Sequence, residues 1–202
     1  MIEKNKVNLY KILYEKNSDY LRNLLPMYRV INSCTNFKIN SFLDYGCGRG
    51  NLAEIFKEKK KIKIYKYDPA IKEYDRLDDN LKVDLIANCD VMEHIPEDEI
   101  DNVIDEISKI SKNVFFNIYL KEAKTILPNG ENAHCTVKPK IWWKNKILTK
   151  FSEANYVYSS YKNSVCIITW KIGFTQKMKN YLIVLQNYSE FILSNFIQIF
   201  KK

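Results

Sequence analysis

Arginine is nearly missing from this chain. Only four of the 32 basic residues are arginine, and the rest are lysine. Arginine supplies planar, bidentate contacts to phosphates and bases, whereas lysine supplies diffuse charge. The lysines are spread along the chain beside Asn, Ile and Tyr, so the net charge of +8 reads first as a solvated basic surface. An anionic partner of some kind (nucleic acid, membrane or phosphorylated substrate) suits such a surface. Few arginines and no appended module in so short a chain count against nucleic acid. Cysteine pairing is lacking as well. Cys34, Cys47, Cys89, Cys135 and Cys166 are odd in number and widely spaced, with no CxxC pair. That argues against a disulfide framework and a zinc knuckle, and fits a reducing cytosol. No run of 18 apolar residues is present, so no membrane-spanning helix is expected. The opening MIEKNKVNLYK lacks the apolar core of a secretory signal. The expected location is therefore cytoplasmic.

The chain has 202 residues, 46% of them hydrophobic, enough for one domain with a sizeable core. There is no internal repeat and no low-complexity linker. Residues 3–32 read as one or two amphipathic helices, with Leu9, Ile12, Leu13, Leu21, Leu24, Leu25 and Tyr28 on apolar faces and Pro26 at a turn. Strands are expected at 39–45, 61–68, 83–90 and 113–120. Helices are expected at Asn51–Lys59 and after Pro96, where acids at 97–99 precede the stripe Ile100, Val103, Ile104, Ile107 and Ile110. Residues 121–145 read as a polar loop, the stretches around 155–160 and 164–171 as a hairpin, and 176–200 as a long helix. The domain is drawn at 1–175, with an amphipathic helix over 176–202. Alternating strands and helices imply a mostly parallel α/β sheet with right-handed crossovers and an antiparallel C-terminal hairpin. Ligands in such sheets bind beyond the carboxyl ends of the strands.

Glycine is scarce, five in all, yet Gly46, Gly48 and Gly50 fall together in FLDYGCGRGNLAEIF. They follow the first strand, where glycine permits positive φ and close approach of a ligand. The helix beyond them offers free N–H groups. Two readings compete. GRGNLA satisfies the dinucleotide pattern GxGxxA, with Asp68 twenty residues after Gly48, as an NAD-dependent oxidoreductase would have it. Against this, Asp44 places a carboxylate two residues before the first glycine. A carboxylate there disfavours pyrophosphate and favours a ligand carrying a positive amine or sulfonium.

LDYGCGRG resembles motif I of the class I S-adenosylmethionine-dependent methyltransferases, D-x-G-x-G-x-G. The resemblance continues through YKYDPA and LIANCDVMEHI, in order, and spans about residues 40–120. It implies a Rossmann-like methyltransferase fold with S-adenosylmethionine held by Asp44, Tyr45, Gly46, Cys47, Gly48, Asn51, Asp68, Pro69, Asn88, Cys89 and Asp90. Asp68 would take the ribose hydroxyls. One departure matters. Only 15 charged-rich residues separate Asp68 from Asp84, so the usual third strand is expected to be trimmed. Asn88 and Cys89 are then expected to help form the adenine pocket.

The two histidines, His94 and His134, both fall in segments that should line the site. Asp90, Glu93 and His94 have i, i+3, i+4 spacing and would share a face if the turn is helical. Two carboxylates and two imidazoles suit a divalent metal such as Mg²⁺ or Mn²⁺. The set Asp90, Glu93, His94 and His134 resembles the ExxEH-plus-distant-His arrangement of small-RNA 2′-O-methyltransferases and metal-requiring ubiquinone-biosynthesis O-methyltransferases, with Asp for the first Glu. Without a metal, His134 or His94 serves as general base, oriented by Glu93 or Asp90. Lys121, Lys124, Asn129, Glu131 and Asn132 could bind a polar acceptor, and Trp142 and Trp143 could stack on it or simply pack.

The expected reaction is O-methylation of a hydroxyl on a sugar, sugar nucleotide or other small polar acceptor, a glycan included, because the basic surface and the polar 121–145 loop fit an anionic, hydroxyl-bearing substrate. The alternatives are RNA ribose 2′-O-methylation, an oxidoreductase, and a non-catalytic cofactor-binding partner protein. The terminal segment has Leu182, Leu185, Tyr188, Phe191, Ile192 and Phe196 roughly on one face. It can pack on the domain, form a homodimer, or lie on the inner face of an anionic membrane.

Overall fold

The short apolar runs assemble into one mixed sheet sandwiched between helices. The computed structural model describes residues 4–16 and 23–199. Helices α1 (Lys4–Lys16) and α2 (Leu25–Cys34) come first. Pro26 sits in the first turn of α2, where a missing N–H leaves no ladder bond unmade. Leu21 lies outside the described residues. There follow β1 (Ser41–Tyr45), α3 (Leu52–Lys60), β2 (Lys63–Tyr67), β3 (Leu85–Cys89), α4 (Ile100–Ile110) and β4 (Val114–Tyr119). After a long polar loop come α5 (Lys140–Leu148), the antiparallel strands β5 (Asn155–Val157) and β6 (Ser164–Ile168), and α6 (Phe174–Ile199).

The strand order is β2-β1-β3-β4-β6-β5. The first four strands are parallel, and β6 runs antiparallel to both β4 and β5. This is the Rossmann-like α/β architecture expected from the alternation, with the antiparallel hairpin at its C-terminal side. Strand β2 forms one edge. Between it and β3 the described residues carry only the short 3-10 turn Lys72–Tyr74, so the third-strand region is trimmed as its length implied. The loop expected over 121–145 is shorter than read: residues from Lys140 onward are helical. Pro139 starts α5, and Trp143 and Ile147, four residues apart, bury its one apolar face. The surrounding lysines hide that two-residue stripe from a periodicity reading.

Two apolar layers flank the sheet. On one side Ile104 and Ile107 of α4 and Trp143 of α5 pack against Leu43, Ile86 and Phe116. On the other, Met27 and Ile31 of α2 and Leu52 and Phe56 of α3 pack against Phe42, Leu85 and Phe115, with Ile183 and Val184 of α6 over them. Polar bonds fix α6 in place. Buried Asn187 donates to Pro26 O at 3.1 Å and to Ser160 Oγ at 2.8 Å, and accepts from Arg29 at 3.1 Å. Asn180 accepts the Tyr158 N–H at 2.7 Å.

Phe56 stacks on Phe42 with ring centroids 3.9 Å apart and receives the edge of Tyr28 at 5.0 Å. Phe56→Ala therefore removes the centre of this layer. Chemical denaturation should show a loss of about 3–5 kcal/mol, the usual cost of emptying a buried phenylalanine site.

Candidate functional site

The carboxyl ends of the parallel strands meet at the turn that leaves β1. Gly46 has φ +77° and Gly48 φ +45°, conformations that other L-residues rarely adopt. A Cβ on Gly46 would also lie 2.3 Å from Val91 Cγ2. Glycine is thus needed here for backbone packing as well as for ligand access.

The N–H groups of this turn are already used. Gly46 and Cys47 donate to Tyr67 O at 2.7 and 3.0 Å, and Gly50 donates to Cys47 O at 3.1 Å. Gly48 donates to Asp68 Oδ2 at 2.9 Å. The start of α3 is occupied too: Asp44 lies beneath it and accepts the Ala53 N–H. Burial pushes the Asp44 carboxyl up to about 7, and its Oδ2 has no hydrogen-bond partner among the described residues. Of the N–H groups expected to face a ligand, those of Gly46, Cys47, Gly48, Gly50 and Ala53 are thus bonded within the protein, two of them to Asp68 and Asp44.

Beyond the turn lies a cleft of 490 Å³. Gly46, Cys47 and Gly48 form one wall, Cys89 and Asp90 the floor, and Glu93, His94, Tyr119 and His134 the far end. Tyr10 and Tyr14 of α1 form the roof. Behind these tyrosines is a smaller cavity of 110 Å³ lined by Asp68, Pro69, Ala70, Val91 and Ile95. The four residues expected to be catalytic, Asp90, Glu93, His94 and His134, all line the larger cleft. Of the expected cofactor contacts, Gly46, Cys47, Gly48, Asp68, Pro69, Cys89 and Asp90 line one cavity or the other. Asp44, Tyr45, Asn51 and Asn88 line neither. Tyr45 points into the core and donates to Glu106 at 2.9 Å. Asn51 accepts the Leu24 N–H at 2.8 Å, and buried Asn88 faces Tyr45 O at 3.5 Å.

Asp68 accepts from Gly48, from the Ala70 N–H at 2.8 Å, and from the Tyr14 hydroxyl. Burial raises its pKa, and these three bonds pull the other way. Burial also raises the pKa of both Tyr10 and Tyr14, which are neutral donors.

The expected shared face of Asp90, Glu93 and His94 is not formed. Asp90 adopts φ +57°, which breaks the helical register, and only Met92–His94 form a 3-10 turn. Asp90 instead pairs with Asn117, whose Nδ2 donates to Oδ1 at 2.5 Å. Ligand-capable atoms of Glu93, His94 and His134 do come together, all within 4.8 Å of one another. Glu93 is fully buried and accepts the Tyr119 N–H at 3.0 Å.

The tautomers follow from carbonyl contacts. His94 Nδ1 is 2.9 Å from Ala133 O, and Tyr10 OH also donates to that oxygen at 2.9 Å. Two acceptors at that distance would repel, so Nδ1 carries the proton. Tyr10 OH, 2.8 Å from Nδ1, can then accept from it. His134 Nδ1 is 2.6 Å from Lys121 O, which fixes the same tautomer. In both rings Nε2 is the nitrogen with the lone pair.

The flap that carries His134 is ordered. An isolated bridge joins Ile126 to Asn132. Asn132 bonds both backbone groups of Ala123, at 3.0 and 2.9 Å, and accepts the His134 N–H at 2.9 Å. Its task is to clamp the flap. Lys124, with Glu122 and Thr125, reaches the cleft, whereas Asn129 and Glu131 are exposed near the flap tip. Trp143 is fully buried and Trp142 packs edge-on against it at 4.9 Å, so neither lines the cleft. The sequence reading missed Tyr10 and Tyr14. Their i, i+4 spacing on an expected helix was the available sign.

The methyltransferase domain family matches residues 14–146. Among solved structures, an O-methyltransferase family protein from Burkholderia thailandensis shares the fold with TM-score 0.54 at 12% identity, over 80% of this chain and 58% of that one. The 1,6-didemethyltoxoflavin-N1-methyltransferase of the same organism, solved with 1,6-didemethyltoxoflavin and S-adenosylhomocysteine, gives 0.56 at 11%, over 81% and 87%. PigF, solved with SAH, gives 0.54 at 14%, over 82% and 58%. The chain thus spans less than two thirds of the first of these. No curated protein matches the sequence.

Asp44 makes stability depend on pH. Its folded pKa lies above the ordinary 3.8, so the folded state holds the proton more tightly across that interval. Stability should fall as pH rises from about 4 to 7 and then level off, and Asp68 adds the same sign. Denaturation of Asp44→Asn should lack most of this slope. Its stability relative to the parent should grow by more than about 1 kcal/mol between pH 4.5 and 7.5.

Proposed function

The chain belongs to the methyltransferase domain family, and we propose that it takes the methyl group from S-adenosylmethionine and passes it to a hydroxyl of a small polar acceptor. One observation carries the cofactor reading: the N–H groups of Gly46, Cys47, Gly48 and Gly50 after β1 are already bonded within the protein, and the carboxyl groups of Asp44 and Asp68 lie against the turn and the start of α3. That disfavours the dinucleotide reading of GRGNLA and suits a cationic sulfonium nucleoside. Asp68 would bind the ribose, with the Tyr14 hydroxyl giving up its bond to the carboxylate. The cavity behind Tyr10 and Tyr14, with Pro69, Val91 and Ile95, suits the adenine.

The acceptor reading rests on the histidine pair. Methyl transfer from a sulfonium needs an aligned acceptor and a destination for its proton. His134 Nε2 would take the proton, with its Nδ1–H held by Lys121 O. His94 has the same tautomer beside it, and the two rings meet edge to face at 4.7 Å. Lys124, Glu122 and Thr125 at the cleft supply hydrogen bonds of the kind a sugar, sugar nucleotide or other polyol would use.

Glu93, His94 and His134 also fit a divalent cation such as Mn²⁺ or Mg²⁺. They offer an oxygen and two imidazole nitrogens, and both imidazoles have the carbonyl support that metal-bound histidines use. A bound cation would lower the pKa of the acceptor hydroxyl. Asp90 lies outside the three-residue cluster and is left to the cofactor side.

Calorimetric titration with S-adenosylhomocysteine should give micromolar-range binding, and NADH should give none. Asp68→Ala should weaken S-adenosylhomocysteine by about 1–3 kcal/mol, while Tyr14→Phe, which frees Asp68 of a competing bond, should not weaken it. An unchanged affinity in folded Asp68→Ala protein would remove Asp68 from the ribose role. Electron paramagnetic resonance of added Mn²⁺ tests the cation separately. The parent should bind Mn²⁺ and His134→Ala should lose it roughly tenfold or more, with S-adenosylhomocysteine affinity unaltered. No Mn²⁺ binding by the parent leaves His134 as the base alone.

A further inference from the structure

The outward face of α6 repeats with a strict heptad. Phe174, Met178, Tyr181, Leu185, Tyr188 and Ile192 follow one another at spacings of four and three. That spacing is the seam of a left-handed coiled coil and is narrower than the apolar face of an ordinary surface helix. These six side chains are between 40% and 78% exposed. With Leu182, Phe191 and Leu193 beside them, nine large apolar side chains are each at least 40% exposed along one helix, a continuous apolar strip of the kind that marks an interaction surface.

The opposite face of α6 cannot be the seam, because it is committed. Asn180 and Asn187 are buried against Tyr158, Pro26 and Ser160, and Glu190 pairs with Arg29 at 2.6 Å. The helix is therefore fixed to the domain by that face and leaves the heptad row exposed, with only Tyr181 of the row resting against a domain ring, that of Tyr158 at 5.3 Å. We propose that this row pairs with the same row of a second copy, giving a twofold dimer through an α6–α6 coiled coil. Asn195, the next seam position, is exposed and polar. A single polar residue in a seam fixes register and number of strands. A self-complementary row on one helix meets the requirement of a twofold interface, in which the same patch serves both sides.

Charge separates this occupant from an anionic membrane. Helices that lie on such membranes flank the apolar face with lysine and arginine. Between residues 180 and 195 the sole charged residue of α6 is Glu190, which is acidic. Lys177 and Lys179 are confined to the first turns. Among the described residues no helix is long and apolar enough to cross a membrane.

Sedimentation equilibrium on the full chain at micromolar concentration is the test. The expected result is a mass twice the 24.0 kDa of the chain. The double variant Leu185→Glu with Ile192→Glu should be monomeric with an unchanged circular dichroism spectrum, since both positions are solvent-facing. Lys179→Ala, exposed but off the seam, should stay dimeric. A parent that is monomeric across the concentration range overturns the proposal. So does a double variant that remains dimeric, or a monomeric parent that floats with phosphatidylglycerol vesicles.

Discussion

The Asp68 carboxylate sets the geometry of the whole cleft. It takes the N–H of Gly48 from the turn after β1 and the N–H of Ala70 from the turn after β2. The Tyr67 carbonyl, one residue earlier, takes two more N–H groups from the glycine turn. Neighbouring strand ends are thereby tied into one unit, and the positive-φ glycines are the residues that let the chain bend sharply enough to reach it. With that unit fixed, Val91 closes on Gly46, and the 3-10 turn that follows delivers Glu93 and His94 to the far end of the cleft. The same carboxylate receives the Tyr14 hydroxyl, and Tyr10 bonds Ala133 O and His94, so α1 is drawn over the site from both ends of the cleft.

The price of this arrangement is two buried acids close together. Asp44 contributes little to the cleft wall and is held in a place where ionisation is costly. What it returns is a bond at the start of α3, where it accepts the Ala53 N–H. A helix start is ordinarily attractive to anions, and here a carboxyl of the protein itself lies against it. At the other end of the cleft the logic is different. Both imidazoles are held at Nδ1 by backbone carbonyls, and Tyr10 bonds the same nitrogen and carbonyl at His94. One end of the cleft is tuned by charge and the other by hydrogen-bond direction.

The parallel half of the sheet was legible because its strands are buried on both faces and read as apolar runs, and because the glycine turn follows one of them. The stripe of α4 was legible for the same reason, with five buried positions at helical spacing. At the far end of the cleft, Asp90, Glu93, His94 and His134 were expected as one group, and the structure gathers three of the four within 4.8 Å. Asp90 was expected beside Glu93 and His94 by spacing alone, and a left-handed residue at the end of β3 separates it from them. Asp44, Tyr45, Asn51 and Asn88 were read from the family pattern but line neither cavity: Tyr45 turns to Glu106 in the core, Asn51 accepts the Leu24 N–H, and Asp44 lies under the start of α3. Tyr10 reaches His94 across 84 residues, a contact that no local pattern encodes. The helix α5 was hidden because its buried face consists of two residues.

Trimming the third strand leaves β2 with one row of backbone groups unpaired within the sheet. Such an edge is a template for another chain's strand, the usual beginning of sheet-to-sheet aggregation. The strand KIYKY answers this with lysines. Lys63 opens it on the exposed side, and Lys66 is held across the face of Tyr74 at 4.4 Å while pairing with Glu54 at 2.8 Å. A strand approaching that edge would have to desolvate a lysine at each end of its path. The lysine bias that first looked like composition alone thus works, at this one border, as a guard against unwanted pairing.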